Sequence, residues 1–242
     1  MDGTIHQVCE LRKVSRIALL TDRYFEEDFL EVLFSIHMNG CGDMGGILLV
    51  GSRVTIRDFS LEDAFSMRSW GEHENPLLED YNFPYCDGKD IEEWFLAKTF
   101  GLSKKYFSVY NEQNKFVGYL GMKQIRHFKK ESTLGIVFDP NYLNKGYGTE
   151  ALNLFLDFYF NDLKMNIMYL EVAEFNKRAR RCYEKCGFIE VSKYLDKYFD
   201  DFIDFDNPYV KEAINCFVIK HNKIYNYVYK MKIDKKTYFR LH

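Results

Sequence analysis

The run Leu143-Asn-Lys-Gly-Tyr-Gly-Thr149 places two glycines one residue apart, directly before a long apolar segment. Glycines at that spacing let a backbone approach a ligand closely, because no Cβ stands in the way. At the start of a helix the free N–H groups then converge on an anion, most often a phosphate. Three phosphate ligands are conceivable: a nucleoside triphosphate, a dinucleotide or coenzyme A. A triphosphate loop needs Gly-Lys-Ser/Thr, and Gly148-Thr149 lacks that lysine. A dinucleotide loop fits in part, since Gly146-x-Gly148-x-x-Ala151 has the G-x-G-x-x-A spacing and Glu171 falls in the next strand. Those glycines, however, should follow the strand at once, and here Pro140 to Lys145 intervene.

Further on, Glu171 and Tyr183 are residue types that can move protons. Glu171 is either a general base or a strand carboxylate paired with a Lys or Arg. Tyr183 is either an acid or a core aromatic in a chain of 18 tyrosines. Asn176 between them suits a helix N-cap as well as a ligand contact.

The surrounding elements are readable from periodicity. Arg53–Phe59 alternates like a strand, and Ser60-Leu-Glu-Asp63 resembles a capping box opening a helix to about Trp70. Residues 71–88 read as a loop and 89–100 as a helix. Three antiparallel strands follow, with turns at 111–114 and 129–131. Residues 149–163 predict a helix apolar almost all round, hence buried between layers. The run 166–173 is a continuous apolar strand, expected to be covered on both faces. A helix over 176–186 stops at Gly187, and 188–195 is a strand. Residues 196–211 read as an acidic loop, and a terminal hairpin turns at 221–223. The order predicts a mixed α/β (α+β) fold whose sheet is antiparallel except for one parallel crossover over 132–173. A single crossover offers no switch point between two halves, which weighs against the dinucleotide reading.

With strand, proline, loop, Gly-x-Gly and helix in sequence, the segment resembles motif A of the GNAT superfamily of acyl-CoA-dependent N-acetyltransferases. Leu143 stands where that motif carries Gln or Arg, so the cradle would rest on backbone amides. The run 170–188, "LEVAEFNKRARRCYEKCGF", resembles motif B in the branch of ribosomal-protein and spermidine acetyltransferases, and 221–233 resembles that branch's last hairpin. The resemblance covers about residues 53–242 and implies a mostly antiparallel sheet splayed at its crossover to hold CoA. It implies acetyl transfer from acetyl-CoA to a primary amine (a polyamine, a small amine or a protein N-terminus) by direct attack in a ternary complex. The rival reading is a non-catalytic acyl-CoA-binding sensor.

The resemblance further implies that Glu171 is the base, directly or through one water, and Tyr183 the acid for the sulfur. Leu143, Asn144, Lys145, Gly146, Tyr147, Gly148 and Thr149 would cradle the diphosphate. Backbone groups of Ile136, Val137 and Phe138 would hold the pantetheine arm like an added half-strand, and Asn176 would hydrogen-bond it. One N–H there would serve the oxyanion, a contact typically worth ~3 kcal/mol. Lys145 is either a phosphate partner or a solvated charge. Arg178, Arg180 and Arg181 read as a solvated helix face from which one side chain could reach the nucleotide. Acidic residues gather at the expected mouth, Glu72, Glu74, Glu79 and Asp80 in one loop and Asp196, Asp200, Asp201, Asp204 and Asp206 in the other. They would steer a cationic amine, or are an ordinary polar surface.

A net charge of -3 gives no global signal for nucleic acid. Aromatics at 17% and hydrophobics at 47% of 242 residues support a substantial core. Cysteines at 9, 41, 86, 182, 186 and 216 have no zinc spacing and read as free thiols of a cytoplasmic protein. No metal site, membrane span or signal peptide is expected; a homodimer is an allowed assembly. The first fifty residues differ in texture. Residues 16–40 suggest a strand and an amphipathic helix, and 40–46 a glycine hinge containing Met44 as an alternative start. The expected division is an N-terminal extension, 1–50, and an acetyltransferase domain, 51–242, with 196–211 as an insertion.

Overall fold

The computed structural model describes residues 46–85, 87–200 and 202–241. The expected strand, helix and hinge before residue 46 lie outside the described residues, as do Cys9, Cys41, Cys86 and Asp201. The unit from Ile47 onward is compact. It is built on a nine-stranded sheet in the order β1-β2-β3-β4-β5-β6-β9-β7, with β8 also on β9. The strands are β1 Leu48–Val50, β2 Val54–Asp58, β3 Lys105–Asn111, β4 Phe116–Arg126, β5 Glu131–Phe138, β6 Ile167–Ala173, β7 Ile189–Lys197, β8 Phe217–Lys220 and β9 Lys223–Asp234. The helices are α1 Leu61–Ser66, α2 Gly88–Thr99, α3 Tyr147–Asn161, α4 Lys177–Lys185, α5 Pro208–Glu212 and α6 Lys235–Leu241.

Every pairing is antiparallel except β5 with β6, the expected crossover through α3. That pairing is short. It runs from Glu131↔Ile167 to Thr133↔Tyr169 and stops. Beyond it β5 stays on β4 as far as Phe138, and β6 stays on β9 as far as Ala173. The sheet is therefore split between Leu134–Phe138 and Leu170–Ala173.

Local sequence explains the elements that frame this split. Ser60 caps α1 and Asp63 returns the bond, forming the expected capping box. Asp63 then does more, because it is buried and accepts from Ser108 Oγ at 2.5 Å and from the Tyr110 hydroxyl, tying α1 to β3. The hairpin β8–β9 turns through His221 and Asn222, both at positive φ, as a two-residue turn of primed type requires.

Helix α3 is buried nearly all round: between Tyr147 and Asn161 only Asp157 is exposed. The principal core packs its Ala151, Leu152, Phe155 and Leu156 on Met168, Leu170 and Val172 of β6. Tyr238 of α6 covers the outer side, stacking 5.0 Å from Phe160 and donating to Asp157. A second, aromatic core lies on the other face, where α1 and α2 meet Tyr106, Tyr119 and Val137.

Three expectations are corrected. Strand β6 is not covered on both faces, since Met168, Leu170 and Val172 are buried while Glu171 is exposed and Tyr169 and Ala173 are partly open; the aromatic core includes no β6 residue. Residues 196–211 are not one loop: β7 runs to Lys197 and α5 begins at Pro208. Strand β1, not foreseen, pairs with β2 and adds residues 48–50 to the sheet.

Candidate active site

The Gly-x-Gly run forms the turn into α3. Asp139 caps a 3-10 turn over Pro140–Tyr142, and Asn144 (φ 61°) and Gly146 (φ 88°) carry the chain through left-handed geometry into the helix. Gly146 is the N-cap and supplies no side-chain bond. Among the described residues the amides of Tyr147, Gly148 and Thr149 find no acceptor, so the α3 N-terminus presents free donors. Leu143 ends the 3-10 turn, and Lys145 lies over the Tyr142 ring at 4.7 Å. Tyr147 points inward, buried, with its hydroxyl on Glu112 at 3.0 Å.

An unforeseen clamp holds this turn. The Glu150 carboxylate accepts from Arg53 N at 2.6 Å, Ser52 Oγ at 2.9 Å and Arg53 Nε at 3.2 Å, while Arg53 Nη1 donates to the Lys145 carbonyl at 3.1 Å. Burial alone would raise the Glu150 carboxyl; these bonds outweigh it and hold the group below its ordinary value. The partners are about a hundred positions apart, so no local signal could have revealed them.

The two glycines differ. At Gly146 a Cβ would sit 2.7 Å from Arg53 Nη2 and face a positive φ, so the fold itself demands glycine there. At Gly148 a Cβ would meet only Phe138, at an ordinary 3.6 Å. Gly148→Ala is therefore expected to leave the melting temperature level or raise it, alanine being the better helix former by up to ~1 kcal/mol. If the cradle reading holds, the same change weakens acetyl-CoA by about tenfold, ~1.4 kcal/mol. Calorimetric titration beside a thermal melt checks both, and an unaltered Kd refutes the cradle.

Beyond this turn lies the split. Ile136, Val137 and Phe138 belong to the part of β5 that β6 does not pair. Across the gap, Glu171 is exposed on the face opposite the principal core and cross-strand from Lys230; burial first, and then the Glu171 carboxylate, push the Tyr194 phenol up. Asn176 is buried and caps α4 by accepting from Ala179 N at 3.2 Å; it also contacts Tyr81. Tyr183 is half-buried on α4 beside Phe188, and its hydroxyl has no hydrogen-bond partner among the described residues. Burial first, then Tyr81 and Cys182, push its phenol far above the ordinary tyrosine value, and Arg178 pulls the other way. The group stays protonated at any physiological pH.

Helices α3 and α4 meet through sulfur. Thr149 Oγ1 is 3.3 Å from Cys182 Sγ, and Cys186 Sγ donates to the Thr149 carbonyl at 3.8 Å. The loop between α1 and α2 spans the split at its far end. Gly71 N donates to Asp139 Oδ1 at 3.0 Å on the β5 side, and Tyr81 reaches Asn176 on the β6 side. His73 lies between these anchors, its ring 6.3 Å from Tyr81, and burial first and then Arg178 hold its imidazole below the ordinary histidine value. Neither His73 nor Tyr81 carries a sequence signal, because only the folded loop brings them to α4.

This combination of an antiparallel sheet split at its one parallel crossover, a Gly-x-Gly helix start beside the split and a tyrosine on the next helix defines a class of acyl-CoA-dependent transferases. The family model for the acetyltransferase (GNAT) domain matches residues 53–189, more than half of the 242 residues, and the chain belongs to that family. It is 24% identical over 150 residues to a spermidine N(1)-acetyltransferase of Vibrio cholerae, covering 62% of this chain and 87% of the relative. A spermidine N(1)-acetyltransferase of Escherichia coli K12 is 23% identical over 168 residues, with 69% and 87% covered. Among solved structures, a Vibrio cholerae spermidine N-acetyltransferase in complex with CoA and spermine superposes with a TM-score of 0.59 at 20% identity, covering 78% of this chain and 99% of that one. The chain is thus an N-acetyltransferase that uses acetyl-CoA to acylate an amine, as the two motifs implied.

Proposed function

We propose that the acceptor is a polyamine or a similarly polycationic amine. The observation that carries this reading is a third apolar cluster. In it Leu77 of the α1–α2 loop packs with Tyr198, Ile203 and Val210 of the segment between β7 and β8. The packing draws two acid-rich stretches together, Glu72, Glu74, Glu79 and Asp80 from the loop and Asp196, Asp200, Asp204 and Asp206 from the segment. Tyr209 reaches Glu74 across the contact at 3.5 Å. An acidic rim on both sides favours an acceptor with several positive charges, and the two relatives described above are named for spermidine. Released CoA thiol with spermidine, spermine and putrescine against singly charged amines of equal length tests it. The polyamines should win by a margin that narrows as salt rises; equal rates overturn the reading.

In this proposal the acetyl donor supplies a thioester carbonyl, and the protein does the rest. The amides of Tyr147, Gly148 and Thr149, with Leu143, Asn144, Lys145 and Gly146 shaping the turn, bind the diphosphate. The unpaired edge at Ile136, Val137 and Phe138 aligns the pantetheine and offers an N–H to the carbonyl oxygen. Asn176, already engaged as a cap, supports the arm through its position. Glu171 takes the amine's proton, directly or through one water, and Tyr183 gives its proton to the sulfur. The free thiols Cys182, Cys186 and Cys216 support a reducing cytoplasm as the location. Among the described residues no helix is long and apolar enough to cross a membrane.

The reading treats residues 1–43 as dispensable for the fold. Their deletion spares β1 and should leave a cooperative melt and CoA binding intact. An insoluble product, or a broad non-cooperative melt, would make the extension part of the domain.

A further inference from the structure

Phe128 and Leu102 are the two most exposed large apolar side chains among the described residues: Phe128 has no cover and Leu102 is 88% exposed. Each sits at the tip of a turn. Phe128 lies between β4 and β5, and Leu102 follows the end of α2, where Gly101 (φ 99°) turns the chain. The tips are latched side by side. Ile125 N donates to the Ser103 carbonyl at 3.0 Å, and His127 Nε2 donates to the Leu102 carbonyl at 3.1 Å. Asn166 N donates to the Lys130 carbonyl at 2.6 Å and Lys235 N to the Asn166 carbonyl at 2.8 Å. These bonds bring the turn between α3 and β6 and the start of α6 to the same end of the sheet.

In a chain of net charge -3 this end is positive. Lys129, Lys130, Lys164 and Lys236 are exposed and take part in no ion pair among the described residues. Lys98 lies over the Tyr106 ring at 5.3 Å, and burial first, then Lys123 and Lys104, pull its ammonium down to about 8. The nearby carboxylates are engaged: Glu131 with Arg126 at 2.9 Å, Asp58 with Lys105 at 2.8 Å and Asp234 with the Thr237 amide at 2.8 Å. Asp162 is the exposed acidic exception. A lone exposed apolar residue is ordinary, but two latched together beside unpaired lysines mark an interaction surface.

We propose that this end of the domain docks on an anionic lipid surface, with Leu102 and Phe128 entering the headgroup region and Lys129, Lys130, Lys164 and Lys236 facing the lipid phosphates. Apolar tips with a cationic surround are the chemistry of an interfacial anchor, one part buried in the acyl boundary and the other drawn by surface charge. Side chains this exposed line no groove, and a bound helix or peptide needs one. One phenylalanine beside a leucine, which has no π-face, makes no stacking platform for nucleic acid. The geometry also leaves the cleft free. Strand β5 runs from Glu131 beside this turn to Phe138 at the split, so roughly 20 Å of strand separates the docked end from the cleft.

Co-sedimentation of the full chain with vesicles tests the proposal. Binding to vesicles of phosphatidylglycerol and phosphatidylcholine should be at least about tenfold tighter than to phosphatidylcholine alone, and should weaken as salt rises. Leu102→Ser with Phe128→Ser should lower the partition about tenfold or more, and so should Lys129→Glu with Lys130→Glu. Both double variants should keep the parent's melting temperature and its turnover of a soluble amine, since neither pair touches the core or the cleft. Failure of the parent to sediment with the anionic vesicles overturns the proposal. So does vesicle binding that survives the two serines, which would be adsorption through another surface. Retention on heparin without vesicle binding, unmoved by the serines, would instead make the lysines a contact for nucleic acid or an acidic protein, and overturns it too.

Discussion

Tyr183→Phe is expected to bind acetyl-CoA as tightly as the parent protein while losing turnover by about 10²–10⁴, the usual worth of a positioned proton donor. The split follows from when the proton is needed. Binding the donor asks nothing of the hydroxyl, whereas breaking the carbon–sulfur bond at neutral pH asks for a proton on a thiolate whose conjugate acid has a pKa near ~8.5 by analogy with cysteine. The structure limits the structural cost of the change. The ring packs against the principal core beside Phe188 and is retained in phenylalanine, and the hydroxyl has no partner among the described residues to leave stranded. Pre-steady-state kinetics with a saturating polyamine, beside calorimetric titration of CoA, would check the result. A mutant with the parent's kcat would remove Tyr183 from the chemistry.

Glu171→Gln is expected to cost most near pH 7 and progressively less toward pH 10. An aliphatic ammonium titrates near ~10.4, so at neutral pH the acceptor needs help to lose its proton, and at high pH it supplies its own lone pair. A loss of about 10² at pH 7 that shrinks as pH rises marks a base. A carboxylate that merely paired with Lys230 or Tyr194 would behave otherwise. Its loss would be flat with pH and accompanied by a lower melting temperature. Glu171 is exposed, so the melt should move little. A rate unaltered from pH 6 to 10, the window set by the amine's titration, would exclude Glu171 and redirect attention to the acceptor loop.

What sequence made legible here was the part of the protein whose physics is local. The Gly-x-Gly turn, the buried helix after it, the capping box at Ser60 and the terminal hairpin, expected to turn at 221–223 and turning at His221-Asn222, each declare themselves within a few positions, through φ requirements, caps or periodicity. Resemblance to two motifs supplied the family. Contacts between distant segments were not legible. Arg53 gives no hint that it will pin Glu150, and nothing marks Leu77 as the side chain that docks the acidic segment on the acceptor loop. Short elements were also lost. Strand β1 and helix α5 are three and five residues long, too brief for a period to register, and exist because β2 and the third cluster hold them. The terminal helix α6 leaves no local signal for a related reason: its seven residues owe their place to Tyr238, which packs on Phe160. Even the correct reading of β6 as a strand went astray on its faces. A run of apolar residues looks the same whether both sides are covered or one opens on a site.

The interrupted pairing of β5 and β6 has a thermodynamic consequence for the whole domain. Two strands that could have continued their ladder instead give up backbone hydrogen bonds between Leu134–Phe138 and Leu170–Ala173, and buried amides left short of partners cost free energy. Any ligand that completes that ladder restores part of what the sheet surrenders, and does so in the folded state alone. Its concentration therefore enters the unfolding equilibrium by mass action, adding ~2.7 kcal/mol at a hundred times its Kd. The domain's resistance to unfolding, and with it the protein's lifetime, would then rise and fall with the supply of acyl donor.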